Sequence, residues 1–236
     1  MTEQKNSTNI DRIKAMFEAG AHFGYAKSKR HASSTPYVFG IKNKIEIIDL
    51  EKTVEMLDKA KEFVSSLAKA GKIILFTSSK SEARNAIKEG AMSLGMPYVA
   101  GRWIGGTITN FPEIKKRLAK LDDLTKQKEK GELVKYTKRE RMLIDKEIAN
   151  LEKMFSGITE LKDAPKALFV VDPKKEIIAV MEARKAGIPV ISLLGTDCDI
   201  KSVDYPILGN DSSVSSISYF VSEIVNAYKT GKIAKA

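Results

Sequence analysis

Apolar positions along this chain alternate between two periods. Ile45 to Leu50, Lys72 to Thr77, Pro97 to Ala100, Ala167 to Asp172 and Ile188 to Leu194 are short, largely apolar runs, with the length expected of strands covered on both faces. From Thr53, the residues Leu57, Ala60, Val64 and Leu67 recur at helical spacing, so Ile45 to Thr77 predicts a strand, a helix and a second strand. From about Ser212 to Lys229, Val214, Ile217, Phe220, Val221 and Ile224 share one face of a terminal amphipathic helix. The alternation predicts an open α/β sandwich of three layers around a mostly parallel sheet.

The rhythm breaks between about Pro112 and Ser156, where no strand pattern occurs and charge becomes dense. Ile114, Leu118 and Leu121, then Ile144, Ile148, Leu151 and Phe155, recur every three or four residues, a narrow seam that suits two helices packed on each other. Gly131 marks the connection, and Thr137 with Glu140 has the spacing of a capping box that opens the second helix. The predicted organisation is an α/β domain from residues 1–111 and 157–236, with a helical hairpin at 112–156 inserted and projecting. Lys115, Lys116, Arg117, Lys126, Lys128, Lys130, Lys138 and Arg139 would face outward on it.

Charge narrows the partner. Forty Lys and Arg against thirty Asp and Glu give a net charge of +10 in a chain that is 43% hydrophobic, which describes a folded protein with a basic surface suited to polyanions. The single Cys198 forms no internal disulfide and fits a reducing compartment, and two His are too few for a His-rich metal site. No stretch approaches a membrane span, and residues 1–9 lack the pattern of a signal or transit peptide, so a cytoplasmic protein without a membrane partner is expected.

Candidate enzyme chemistry finds little purchase. The run after Thr77 is Ser78-Ser79-Lys80-Ser81, not a glycine-rich dinucleotide fingerprint, and no phosphate-binding loop motif occurs. Ser78 and Ser79 can cap a helix or meet a phosphate at its N-terminus. A nucleotide- or phosphosugar-binding enzyme on a Rossmann-like fold is therefore the alternative function. Asp197, Asp199 and Asp204, with Cys198 and Asp211 near in sequence, are candidates for a cation site or for caps and turns in a polar loop; no metal or cofactor is assigned.

Nucleic-acid chemistry is better represented. Lys27, Lys29, Arg30, His31, Lys42 and Lys44 interleave with Tyr25, Tyr37 and Phe39, the cations and stacking rings that RNA contact uses. Gly101 to Phe111 holds the sole tryptophan, Trp103, beside Arg102 and the pair Gly105-Gly106. Arg102 offers a planar fork suited to phosphate, while Trp103 either wedges the turn or stacks a base.

The segments Glu18 to Gly24, Pro36 to Gly40, Asn43 to Thr53 and Arg102 to Gly106 resemble the ribosomal protein S2 (uS2) family of the bacterial small subunit. Pro165 to Asp172, Glu176, Glu182, Gly187 to Val190 and Tyr205 to Asp211 continue the likeness in order, from about Phe17 to Tyr228. The resemblance implies a flavodoxin-like domain with a protruding coiled-coil hairpin of bacterial type and no catalytic residues. It also implies a place between head and body of the 30S subunit, contact with 16S rRNA and neighbouring ribosomal proteins, help in recruiting ribosomal protein S1, and no homo-oligomer. Where the family commonly has His after His-Phe-Gly, Tyr25 stands, and the loop from Lys27 to Ser34 keeps the cations without the usual Trp and Pro. The residues expected at RNA phosphates are Lys27, Lys29, Arg30, Lys42, Lys44, Lys80 and Arg102.

Overall fold

The computed structural model describes residues 2–159, 161 and 163–233, with side chains from Asn9 onward. Five parallel strands form the main sheet: β4 (Ile74–Thr77), β5 (Tyr98–Val99), β6 (Ala167–Val171), β7 (Val190–Leu194) and β8 (Tyr205–Leu208). Their order is β5-β4-β6-β7-β8, which is the 2-1-3-4-5 order of doubly wound flavodoxin-like sheets, with its topological switch between β4 and β6.

Strict alternation along these strands builds the three layers. Ile74, Phe76, Phe169, Val171, Ile191, Leu193 and Ile207 face one core. This core is covered by α2 (Leu50–Lys69), α3 (Arg84–Leu94), α7 (Val214–Ile233) and the end of α1 (Thr2–Glu18). Leu75, Leu168, Val170, Val190, Leu194 and Leu208 face the opposite core, which is covered by α6 (Ile177–Lys185) and by Trp103, Ile108 and Phe111.

One predicted strand does not belong to this sheet. The run from Ile45 ends as β3 (Ile45–Ile48), the middle of a separate antiparallel sheet with β1 (Phe23–Ala26) and β2 (Val38–Lys42). Asn43 and Lys44 both adopt positive φ, 51° and 65°, which is the backbone of a two-residue hairpin turn that folds β3 back on β2. Asp49 then caps α2 through the Glu51 N–H at 3.1 Å, so Leu50 opens the helix rather than closing the strand. The apolar run records burial but not the strand's partner. β8 and α1 carried no strand or helix signal strong enough to be predicted. Pro206 argues against a central strand and is tolerated here because β8 is the sheet edge.

The middle segment forms α4 (Phe111–Glu129) and α5 (Lys138–Phe155), with the Thr137–Glu140 capping box in place. Lys120 pairs with Glu147, and Lys128 Nζ lies 2.7 Å from Asp145, joining the two helices. The helices do not pack on each other alone. Ile114, Leu121, Ile148, Leu151 and Phe155 are buried in the same cluster as Trp103 and Leu168, so the root of the hairpin is part of the second core. Among the described residues, no helix is long and apolar enough to cross a membrane.

Candidate functional site

In a sheet of this order ligands enter the crevice beyond the carboxyl ends of the strands, at the switch between β4 and β6. Here that crevice is filled by side chains of the protein. Lys80, three residues past β4 and 5% exposed, places Nζ 2.7 Å from Asp211 Oδ2 and 2.8 Å from Asp172 Oδ2, and donates to the Asp211 carbonyl at 3.0 Å. Burial works against the ammonium, but the carboxylates of Asp211 and Asp172 outweigh it, and the Lys80 pKa rises above the ordinary lysine value. Tyr25 closes the outer side, with its hydroxyl 3.4 Å from Lys80 Nζ and bonded to Ser212 Oγ at 2.8 Å. Its ring also lies over Gly195, where a Cβ would sit 2.6 Å from Tyr25 Cε2.

The backbone N–H groups that a nucleotide phosphate would need are also committed. The Ser79 N–H donates to Glu176 at 2.7 Å, and the Lys80 N–H to Ser78 Oγ at 3.2 Å, so an anion would meet a carboxylate where it requires a donor. Helix α3 begins only at Arg84, and the Ser78-Ser79 pair therefore does not cap it.

Lys80 thus departs from its expected role. Its ammonium is held between two buried carboxylates, Asp172 and Asp211. The late aspartates also separate: Asp197 pairs with Lys174 at 2.9 Å, Asp199 caps a short turn through the Lys201 N–H at 3.0 Å, and Asp204 accepts from the Val190 N–H at 2.8 Å. The groups that do converge are Asp172, Cys198 and Asp211, within 4.8 Å of one another, and the Lys80 ammonium bonds both carboxylates. Burial raises the Cys198 thiol pKa, so it stays protonated there.

The Arg102–Asn110 turn is organised from α6. Glu182 accepts the Trp103 indole N–H at 3.2 Å and the backbone N–H groups of Gly106 (2.7 Å), Ile108 (3.0 Å) and Thr109 (3.2 Å), and the Thr109 hydroxyl at 3.2 Å. Burial opposes ionisation, but these donors prevail and hold the Glu182 carboxyl below its usual range. Trp103 is buried, so it wedges the turn. Arg102 is left exposed beside it.

The remaining cations gather on the small sheet. Lys27, Lys29, Lys42 and Lys44 are exposed, and the Lys27 N–H reaches the Lys44 carbonyl at 3.4 Å, tying the loop after β1 to the hairpin turn. Phe39, 81% exposed, stands on β2 of the same sheet. Arg30 is half-buried and pairs at 3.2 Å with Glu46, whose side chain is fully buried. Arg102 lies with different neighbours, Arg84 and Lys153, along a cleft against α5. Neither of these two cations stands out in the sequence, since only the tertiary contact of α3, the turn and α5 joins them.

Fold and site together define an α/β scaffold whose ligand crevice is sealed by its own side chains and whose exposed loops are basic. The Ribosomal protein S2 family model matches residues 16–231. The chain is 40% identical over 224 residues to the small ribosomal subunit protein uS2 of Sulfurimonas denitrificans, covering 95% of this chain and 86% of that one. It is 42% identical over 220 residues to the uS2 protein of a Roseiflexus species, covering 93% and 84%, and 40% identical over 220 residues to that of a Nitratiruptor species, covering 93% and 82%. The chain belongs to the ribosomal protein S2 family, the uS2 proteins of the small ribosomal subunit.

Proposed function

We propose that the protein is a non-catalytic constituent of the 30S subunit in the cytoplasm that binds 16S rRNA between head and body, contacts neighbouring ribosomal proteins and helps recruit ribosomal protein S1. The observation that carries the RNA reading is the exposure of Lys27, Lys29, Lys42 and Lys44 at the turns of one small sheet, tied together by the Lys27–Lys44 backbone bond, with the exposed ring of Phe39 on a strand of the same sheet. Cations on a rigid hairpin neutralise phosphates of a preformed RNA shape, and an exposed ring adds a stacking face. The sealed crevice supports the same reading, because the place where a nucleotide enzyme on this fold would bind substrate is occupied by Lys80 and its two carboxylates. The S1 role rests on the family resemblance.

Sedimentation of tagged protein from lysate through sucrose gradients at moderate and high salt tests the proposal. Co-migration with small subunits at moderate salt is expected, and each Lys→Glu change among the four should reduce the salt slope by about 0.7–0.9 for every phosphate it ceases to neutralise. Protein remaining at the top of the gradient, or a stoichiometric nucleotide found by calorimetry, would overturn it. Subunits lacking the protein should carry less S1; an unchanged S1 content removes that part alone.

A further inference from the structure

We infer that the cleft between the Gly101–Gly105 turn and α5 takes one unpaired ribonucleotide, with its base against the apolar side chains and its flanking phosphates held by Arg84, Arg102 and Lys153. The inference rests on the RNA-binding reading above and names the part of the RNA that this surface takes. The cleft has a volume of about 660 Å³, inside the range of pockets that bury a small organic ligand, about 300–1,000 Å³.

Its lining combines apolar and cationic side chains. Ala100, Ile104 and Met154 are apolar, while Gly101 and Gly105 add no side chains, which leaves room for a flat ring to approach the backbone. Asn150, Lys153 and Met154 stand at i, i+3 and i+4 on one face of α5, so an amide, a cation and an apolar surface are presented together. No carboxylate lines the cleft, and among the described residues Arg84, Arg102 and Lys153 pair with no acid. The cleft between α2 and β8 differs, since Glu55, Glu62 and Asp204 line it with Lys52 and Lys59.

This charge pattern selects a polyanion, and concavity selects its form. Bases in an A-form helix are stacked on both sides and offer a concave apolar site no free face, whereas an unpaired base splayed from a loop or bulge does. The three cations of the lining can meet the phosphates on either side of such a nucleotide, and the Asn150 amide supplies a donor and an acceptor for a base edge. The turn is already rigid through Glu182, so seating the nucleotide costs little ordering of the protein.

A photocrosslink from beside the cleft tests this. Cys198 is 2% exposed, so Ala149→Cys, at an exposed position one turn before Lys153 on α5 and outside the cleft lining, creates the accessible thiol of the full-length protein for an aryl azide probe. After assembly into small subunits and irradiation, primer extension should stop at one unpaired nucleotide of the 16S rRNA. The stop, measured per subunit-bound protein, should vanish when Arg84→Gln, Arg102→Gln and Lys153→Gln are combined, and a stop of undiminished strength would overturn the inference. Crosslinking only to base-paired RNA, capture of a neighbouring protein segment, or no RNA crosslink from protein that still co-sediments would each overturn the inference and leave the general RNA reading intact. Failure of the unsubstituted protein to co-sediment would instead overturn both.

Discussion

The Glu182 carboxylate on α6 accepts the indole N–H of Trp103 at 3.2 Å across 79 positions of sequence, and the same carboxylate collects three backbone N–H groups of the turn that follows. One buried acid therefore holds the shape of the segment that presents Arg102.

Because Trp103 is the sole tryptophan, its emission reports on that arrangement directly. Glu182→Ala leaves several donors without an acceptor and should cost about 3 kcal/mol, with red-shifted emission in the native state. The folded pKa of Glu182 lies below its unfolded value, so the stabilisation is present above the ordinary glutamate value of about 4.3 and is lost as pH falls through the lower folded value. Acid titration followed by Trp103 emission should show that loss, and Glu182→Gln should remove the pH dependence; an unchanged acid transition in Glu182→Gln would assign it elsewhere.

Lys80→Met should destabilise the protein by about 3–5 kcal/mol, because it leaves Asp172 and Asp211 buried together without a counter-charge. Combining it with Asp172→Asn and Asp211→Asn should recover much of the loss. Urea unfolding of the full chain measures both. A Lys80→Met variant as stable as the parent but defective in RNA association would return Lys80 to the RNA-binding set.

Arg30 and Lys29 are neighbours with separable roles. Arg30→Gln removes the charge that balances Glu46, whose carboxylate oxygens are buried without a hydrogen bond, and should cost about 2 kcal/mol in thermal unfolding. Lys29→Gln touches no acid among the described residues and should leave the melting temperature within about 1 °C while weakening subunit association. Equal melting temperatures for the two variants would show that the Arg30–Glu46 pair contributes nothing to the fold.

At the foot of the hairpin a Cβ on Gly157 would lie 2.1 Å from the Tyr98 carbonyl oxygen. The clash is with backbone, so Gly157→Ala must shift β5 or the hairpin root and should cost about 2–3 kcal/mol in denaturant unfolding. A neutral Gly157→Ala would show that the joint between α5 and the sheet has slack.

Period and composition alone were sufficient for the layered α/β class, the four strands β4 to β7 that lie near the predicted runs, the helix pair of the middle segment with its Thr137–Glu140 box, and the basic surface. These are local properties: burial on both faces makes a strand apolar along its length, and a cap needs only residues three apart. The partner of β3, the edge strand carrying Pro206, the sharing of the hairpin root with the second core, and the fates of the cations were decided by tertiary contacts. Lys80 and Lys42 are the same residue type in the sequence. What separates them is that Asp172 and Asp211 arrive at Lys80 from segments 92 and 131 positions away, a meeting that no local pattern records, while Lys42 beside its hairpin turn is exposed and pairs with no acid among the described residues.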